Sequence, residues 1–165
     1  MSRRDRTRAR EMALQALYQA DLTGDDCLDA IEGTLRKDGH PAEVMEYAFD
    51  LARGVRMRIA DLDGLIADAA QHWTLERMAV IDRNVLRLGI EELLHHPDVP
   101  PRVVINEAIE MAKRFSTGGS GAFVNGVLDR VRRDLEADGR LAPSPRRDGE
   151  DAATAGVEPV PPEEE

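Results

Sequence analysis

Apolar residues recur along this chain at the three- and four-residue spacing of helices, while glycines and prolines fall between the periodic stretches rather than inside them. The pattern predicts seven helices. The first covers about residues 7–22, with Ala9, Met12, Ala13, Ala16, Leu17 and Ala20 on its inner side, and breaks near Gly24. A weaker second covers 28–37. A third starts with Pro41 in its first turn and runs to about 58 on a stripe of Val44, Ala48, Leu51 and Val55. A short fourth follows at 61–72. The fifth, 77–95, is apolar on much of its circumference (Ile81, Val85, Leu88, broadened by Val80, Leu86, Ile90, Leu93 and Leu94), which marks a central, buried element. Gly89 within it implies a closely packed neighbour. Pro97, Pro100 and Pro101 separate it from a sixth at 102–115, and a seventh covers 120–137. No segment alternates like a strand, so the expected fold class is all-α.

Beyond about residue 139 the composition changes to proline, alanine, glycine and acids, too little apolar surface to repay the entropy of ordering. The expected organisation is one helical domain over 1–138 and a disordered acidic tail over 139–165. A chain of 165 residues can bury one sizeable core. Its lone cysteine, Cys27, cannot form an internal disulfide and reads as a small, partly buried thiol. With no apolar run long enough to span a bilayer and no secretory leader pattern, a soluble, cytoplasmic protein is expected.

Charge alters this otherwise plain picture. The net charge is −10, yet the first ten residues hold Arg3, Arg4, Arg6, Arg8 and Arg10 against one acid, Asp5. The reverse imbalance closes the chain: residues 148–165 carry seven acids and no base. A concentrated positive end on an acidic protein points to a polyanion, or else to a basic terminus that is simply solvated. On a helical wheel Arg8, Glu11, Gln15, Tyr18 and Gln19 share one polar arc, which Arg4 joins if the helix begins early. Guanidinium groups for phosphates, amides for base edges and a tyrosine for stacking suit single-stranded RNA. Arg10 lies instead at the apolar edge, close in angle to Asp21, and reads as the structural ion-pair partner of that residue.

Catalytic constellations do not emerge. His40 and His72 are isolated, and His95 and His96 close a helix, where a cation suits the dipole better than a metal would. Glu91 and Glu92 point about 100° apart. The turn Thr117-Gly118-Gly119-Ser120-Gly121 lacks the lysine and the preceding strand of a phosphate loop, and reads as a flexible connection with Ser120 as N-cap. Trp73 reads as a core anchor, and Asn106 and Asn125 as groups satisfying backbone between helices. Neither a cofactor, a metal nor an enzyme activity is expected.

Four segments together resemble one family: Ala9-Arg10-Glu11 with Ala13-Leu14-Gln15-Ala16-Leu17-Tyr18; Trp73 with Asp82-Arg83-Asn84-Val85-Leu86-Arg87-Leu88; Val104-Ile105-Asn106-Glu107-Ala108-Ile109-Glu110-Met111-Ala112-Lys113-Arg114-Phe115; and Phe123-Val124-Asn125-Gly126-Val127-Leu128-Asp129. Over about residues 3–137 they look like the bacterial transcription antitermination factor NusB family. The resemblance implies two packed helical subdomains binding the boxA element of nascent ribosomal RNA together with NusE, a small-subunit ribosomal protein, within an RNA polymerase antitermination complex. It implies an RNA side formed by Arg3, Arg4, Arg6 and Arg8 and the surroundings of Phe123. It also implies a protein-partner side around the fifth helix, where Arg83, Arg87 and Glu91 are the candidates. Monomer and homodimer both remain open. Where some members carry charges before the last helix, this chain has Gly118, Gly119, Gly121 and Ala122. A purely protein-binding helical adaptor is the alternative from another class. An RNA methyltransferase is a third, for which no catalytic domain follows residue 137.

Overall fold

The computed structural model describes residues 1–37 and 39–141, and every regular element in them is helical. These are α1 (Arg3–Thr23), α2 (Leu28–Arg36), α3 (Ala42–Met57), α4 (Ile59–Ala70), a single 3-10 turn (Leu75–Arg77), α5 (Val80–His95), α6 (Pro101–Phe115) and α7 (Ser120–Ala137). The expected acidic tail from 142 onward lies outside the described residues. Two helical subdomains pack together: α1, α2 and α3 in one, α4 to α7 in the other. The fifth helix is the axis, touching α1, α3, α4, α6 and α7. Of the twelve positions of α5 from Asp82 to Leu93, all but Arg83 are buried.

Most buried apolar side chains form one cluster that crosses both subdomains, including Leu14, Leu17, Leu51, Ile66, Leu86, Ile90, Phe123 and Leu128. Trp73 packs against its edge. Gly89 faces Leu128 and Ala108 across α7 and α6, the close approach its position implies. A smaller cluster of Leu93, Val99 and Val104 fills the corner between α5 and α6, and Leu141, the last described residue, packs on it.

The structure differs from the sequence reading at several points. The arginine-rich start is not an arm preceding α1 but its first two turns, because Ser2 caps the helix. Ser2 Oγ accepts from the Asp5 amide at 3.1 Å, and Asp5 Oδ2 accepts from the Ser2 amide at 3.0 Å. Pro41 is the N-cap of α3 rather than a residue of its first turn. The chain is extended at Met78 and Ala79, with Met78 inserted into the core, so the fifth helix starts three residues late, at Val80. Cys27 is exposed at the N-cap of α2, its sulfur accepting from the Ala30 amide. Ser120 is not a cap but a buried residue whose hydroxyl donates to Asp82 Oδ2 at 3.0 Å. Asn106 and Asn125 face solvent on α6 and α7 instead of serving buried backbone.

Candidate nucleic-acid interface

Because α1 begins at Arg3, its outer stripe is continuous from Arg4 through Arg8, Glu11, Gln15 and Gln19, roughly 22 Å along the axis. Arg4, Arg8, Gln15 and Gln19 are exposed, and Tyr18 beside them is half-buried. Arg3 is 91% exposed, its closest acid being Glu107 at 3.9 Å. Arg4 has no ion pair among the described residues. Arg8 donates from Nε to His40 Nδ1 at 3.1 Å, which leaves its charge uncompensated by a carboxylate.

The remaining two arginines are engaged by acids, Arg6 at the surface and Arg10 in the interior. Arg6 donates to Asp98 Oδ2 at 3.1 Å and lies 5.7 Å over the Tyr47 ring. That ring meets His96 edge-on, with centroids 5.2 Å apart. Arg10, only 3% exposed, donates from Nε to both oxygens of Glu92, at 2.8 and 3.0 Å. Its Nη1 is 3.8 Å from Glu107, which also accepts from Thr7 Oγ1 at 2.9 Å. Tyr47 completes the knot by donating its hydroxyl to Glu92 at 2.5 Å; burial first, and Glu92 second, push the Tyr47 phenol far above its ordinary value. Arg10 is thus ion-paired to Glu92 and not to Asp21. Asp21 instead accepts from Asn84 Nδ2 at 2.8 Å and lies 3.8 Å from Arg87.

The surface continues from α1 onto α6 and α7. Arg114 crosses to α1, donating to Glu11 at 2.6 Å with its guanidinium 5.2 Å over Phe115. Lys113 lies against Gly121, where an added Cβ would come 2.9 Å from Lys113 Cγ. A groove of about 390 Å³ runs between α1 and α6, floored by Met111, walled by Thr7, Glu11 and Glu107, and rimmed by Glu110, Lys113 and Arg114. Lys113, Arg114 and the exposed asparagines escaped the sequence reading as surface residues. Adjacent Lys113-Arg114 was a visible signal; that α6 lies beside the arginine-rich end of α1 was not.

Other expected site residues are placed elsewhere. Phe123 is 1% exposed and belongs to the core, so it offers no ring to a base. Arg87 and Glu91 are likewise buried in internal pairs. Arg87 binds both oxygens of Asp63 at 2.7 and 2.9 Å, and Glu91 accepts from Arg58 at 2.5 and 3.0 Å. Arg83, half-buried, donates to the Leu75 carbonyl at 3.0 Å. A partner cannot therefore be held by the Arg87 or Glu91 side chains, because α5 is interior.

Fold and surface together define an all-helical protein whose first helix exposes a cationic face, with no metal-ligating cluster among the described residues and no described helix long and apolar enough to cross a membrane. Residues 7–133 match the model of the NusB family, and the chain belongs to that family. The transcription antitermination protein NusB of Anaeromyxobacter dehalogenans (strain 2CP-1) is 51% identical over 132 residues, covering 79% of this chain and 92% of that protein. Among solved structures, T. maritima NusB superposes with a TM-score of 0.73 at 38% identity, covering 78% of this chain and 91% of that one. The antitermination factors NusB and NusE in complex with dsRNA give a chain with a TM-score of 0.72 at 28% identity, covering 81% of this chain and 99% of that one.

Proposed function

We propose that this protein is a non-catalytic, cytoplasmic RNA-binding transcription antitermination factor that engages a boxA-type element of ribosomal RNA transcripts jointly with a NusE-type ribosomal protein on elongating RNA polymerase. The observation that carries the reading is the outer face of α1, where Arg4 and Arg8 stand in solvent without a carboxylate pair among the described residues and Arg3, 91% exposed, has only the 3.9 Å contact with Glu107, in a fold whose solved relative is a complex with NusE and RNA. Phosphates meet these three guanidinium groups and, across the α1–α6 groove, Lys113 and Arg114. Gln15 and Gln19, with the exposed Asn106 and Asn125, supply donors and acceptors for base edges, and Tyr18 offers the exposed part of its ring for stacking. Phe123 supports this edge from beneath. On the partner side, Arg83 is the one expected α5 residue with surface left to offer; Arg87 and Glu91 act by fixing α5 in place.

Titrating a boxA-type RNA with and without NusE at several salt concentrations tests the reading. Neutralising three to four phosphates should give a log–log salt slope of about −2 to −3 for a single strand. Replacing Arg3, Arg4 and Arg8 by Gln should flatten that slope while the fold is retained. Absence of RNA binding even with NusE present overturns the proposal, and NusE binding that survives the triple replacement without any RNA effect would favour the protein-only adaptor.

A further inference from the structure

We propose that the cationic face of α1 is also a docking site for this chain's own acidic C-terminal segment, which thereby competes with RNA. Three observations converge on it. The first is where the described chain ends: Leu141, its amide donating to the Leu135 carbonyl at 3.2 Å, packs on the Leu93, Val99 and Val104 cluster, as Val103 does, and on the edge of the main core. Asp98, in the same corner, holds Arg6, and Glu107, one helical turn beyond Val103 on α6, is the acid nearest Arg3. The exit point therefore shares the α5–α6 corner whose Asp98 holds the first turns of α1. The second is length. Asp148 follows Leu141 by seven residues, a reach of at most about 24 Å, and Glu165 follows by 24 residues, a reach of at most about 80 Å. Those reaches bring the acids of the segment, the distal ones above all, to the face of α1 across the shared corner.

The third is charge. Asp148, Glu150, Asp151, Glu158, Glu163, Glu164 and Glu165 follow one another without an intervening base. On the face of α1, Arg4 and Arg8 have no carboxylate pair among the described residues and Arg3 has only a 3.9 Å contact with Glu107, while Arg6, Arg10 and Arg114 are held by closer acids. A tethered anion has a local concentration in the millimolar range, so weak, screened contacts suffice to compete with RNA. The competition rests on the RNA reading above; the contact does not.

The experiment uses the full chain. In a Cys27→Ser background, which keeps a capping side chain on α2, Ala155→Cys carries a nitroxide and the arginine Nε–H signals are recorded by NMR. At low salt the label should broaden the signals of Arg3, Arg4 and Arg8. The effect should vanish when the seven acids are replaced by Asn or Gln, with segment length unchanged, and should fade at high salt. No broadening, or equal broadening with the neutralised segment, overturns the contact; broadening seen only between labelled and unlabelled molecules would assign it to a second copy and overturn the intramolecular form. In parallel, a fluorescent 12-nucleotide oligouridylate is titrated. The neutralised chain should bind it about five- to tenfold more tightly at low salt, with the gap closing at high salt. Equal affinities overturn the competition. If no form binds RNA, the functional reading fails while the NMR experiment still decides the contact.

Discussion

Arg4 and Arg10 sit six residues apart on one helix, on different sides of it, and do opposite work, because one points to water and the other between α5 and α6. Arg10 and Glu92 are buried together, and removing one partner would strand the other charge in the core. Arg10→Ala should cost about 3–5 kcal/mol in urea unfolding, with RNA affinity per folded molecule little changed. Arg4→Gln should do the reverse: stability within about 0.5 kcal/mol of the parent, and a weaker, less salt-dependent RNA complex. That Arg10 is structural was legible in its place at the apolar edge of the wheel; its partner was not. Asp21 matches its angle but lies eleven residues away, roughly 16 Å along the axis, too far for two side chains to meet. Glu92, 82 positions on in sequence, is brought there by packing alone. Asp82 supplies a pH-dependent case. Burial raises its carboxyl pKa, opposed only in part by Ser116 and Ser120, and Oδ1 has no partner among the described residues. The folded protein then holds that proton more tightly than the unfolded one. The contribution favours folding below the ordinary carboxyl value of 3.8 and is lost as pH rises through the higher folded-state value. Thermal midpoints of Asp82→Asn measured from pH 4 to 7 should therefore move in the variant's favour, relative to the parent, as pH increases.

The helices themselves were largely legible, since their periodicity depends on neighbours three and four positions apart and needs no knowledge of the fold. Misplaced ends have local causes. Five arginines within ten residues look like an unstructured cationic arm, yet Ser2-Arg3-Arg4-Asp5 carries the spacing of a capping box, and the structure uses it. Asp5 accepts from Ser2 and its pKa is lowered chiefly for that reason. The cap turns a loose charge cluster into a face with fixed spacing, in which Arg4 and Arg8 are one turn apart. Ser2→Ala should release the first turn, with a loss of roughly 1 kcal/mol of local helix stability, read as about fivefold faster amide exchange near Arg6. Global unfolding should barely change, because the core contacts of α1 begin at Ala9. RNA binding should weaken while retaining its salt slope, since the arginines remain but are no longer pre-positioned. Surface assignment was less legible. Phe123, Asn106 and Asn125 were each put on the wrong side, because short segments show which residues share a face, whereas burial depends on what that face meets.

At the scale of the molecule, α5 holds the two subdomains together with charges as well as with its apolar circumference. Glu92 ties it to Arg10 of α1 and Glu91 ties it to Arg58, where α3 ends and α4 begins, while Arg87, bound to Asp63 within its own subdomain, also lies 3.8 Å from Asp21 of α1. The Glu91 link has a steric condition. Its side chain runs across Gly54 of α3, and a Cβ at that position would overlap the Glu91 carboxylate. Glu91 is 1% exposed, and moving away from a methyl at position 54 would pull it off Arg58. Gly54→Ala should thus cost far more than the gain of about 1 kcal/mol expected for alanine in an unobstructed helix, approaching the 3–5 kcal/mol of a broken buried pair. Glu91→Ala alone should also be costly, leaving Arg58 without its acid. Combined, the two changes should not add: once Glu91 is shortened, the methyl at position 54 has room and alanine's helix preference is recovered. Urea unfolding of both singles and the double should give a coupling of about 1–3 kcal/mol in that direction. Strict additivity would mean that Gly54 does not serve Glu91, and that the Glu91–Arg58 link makes no steric demand on α3.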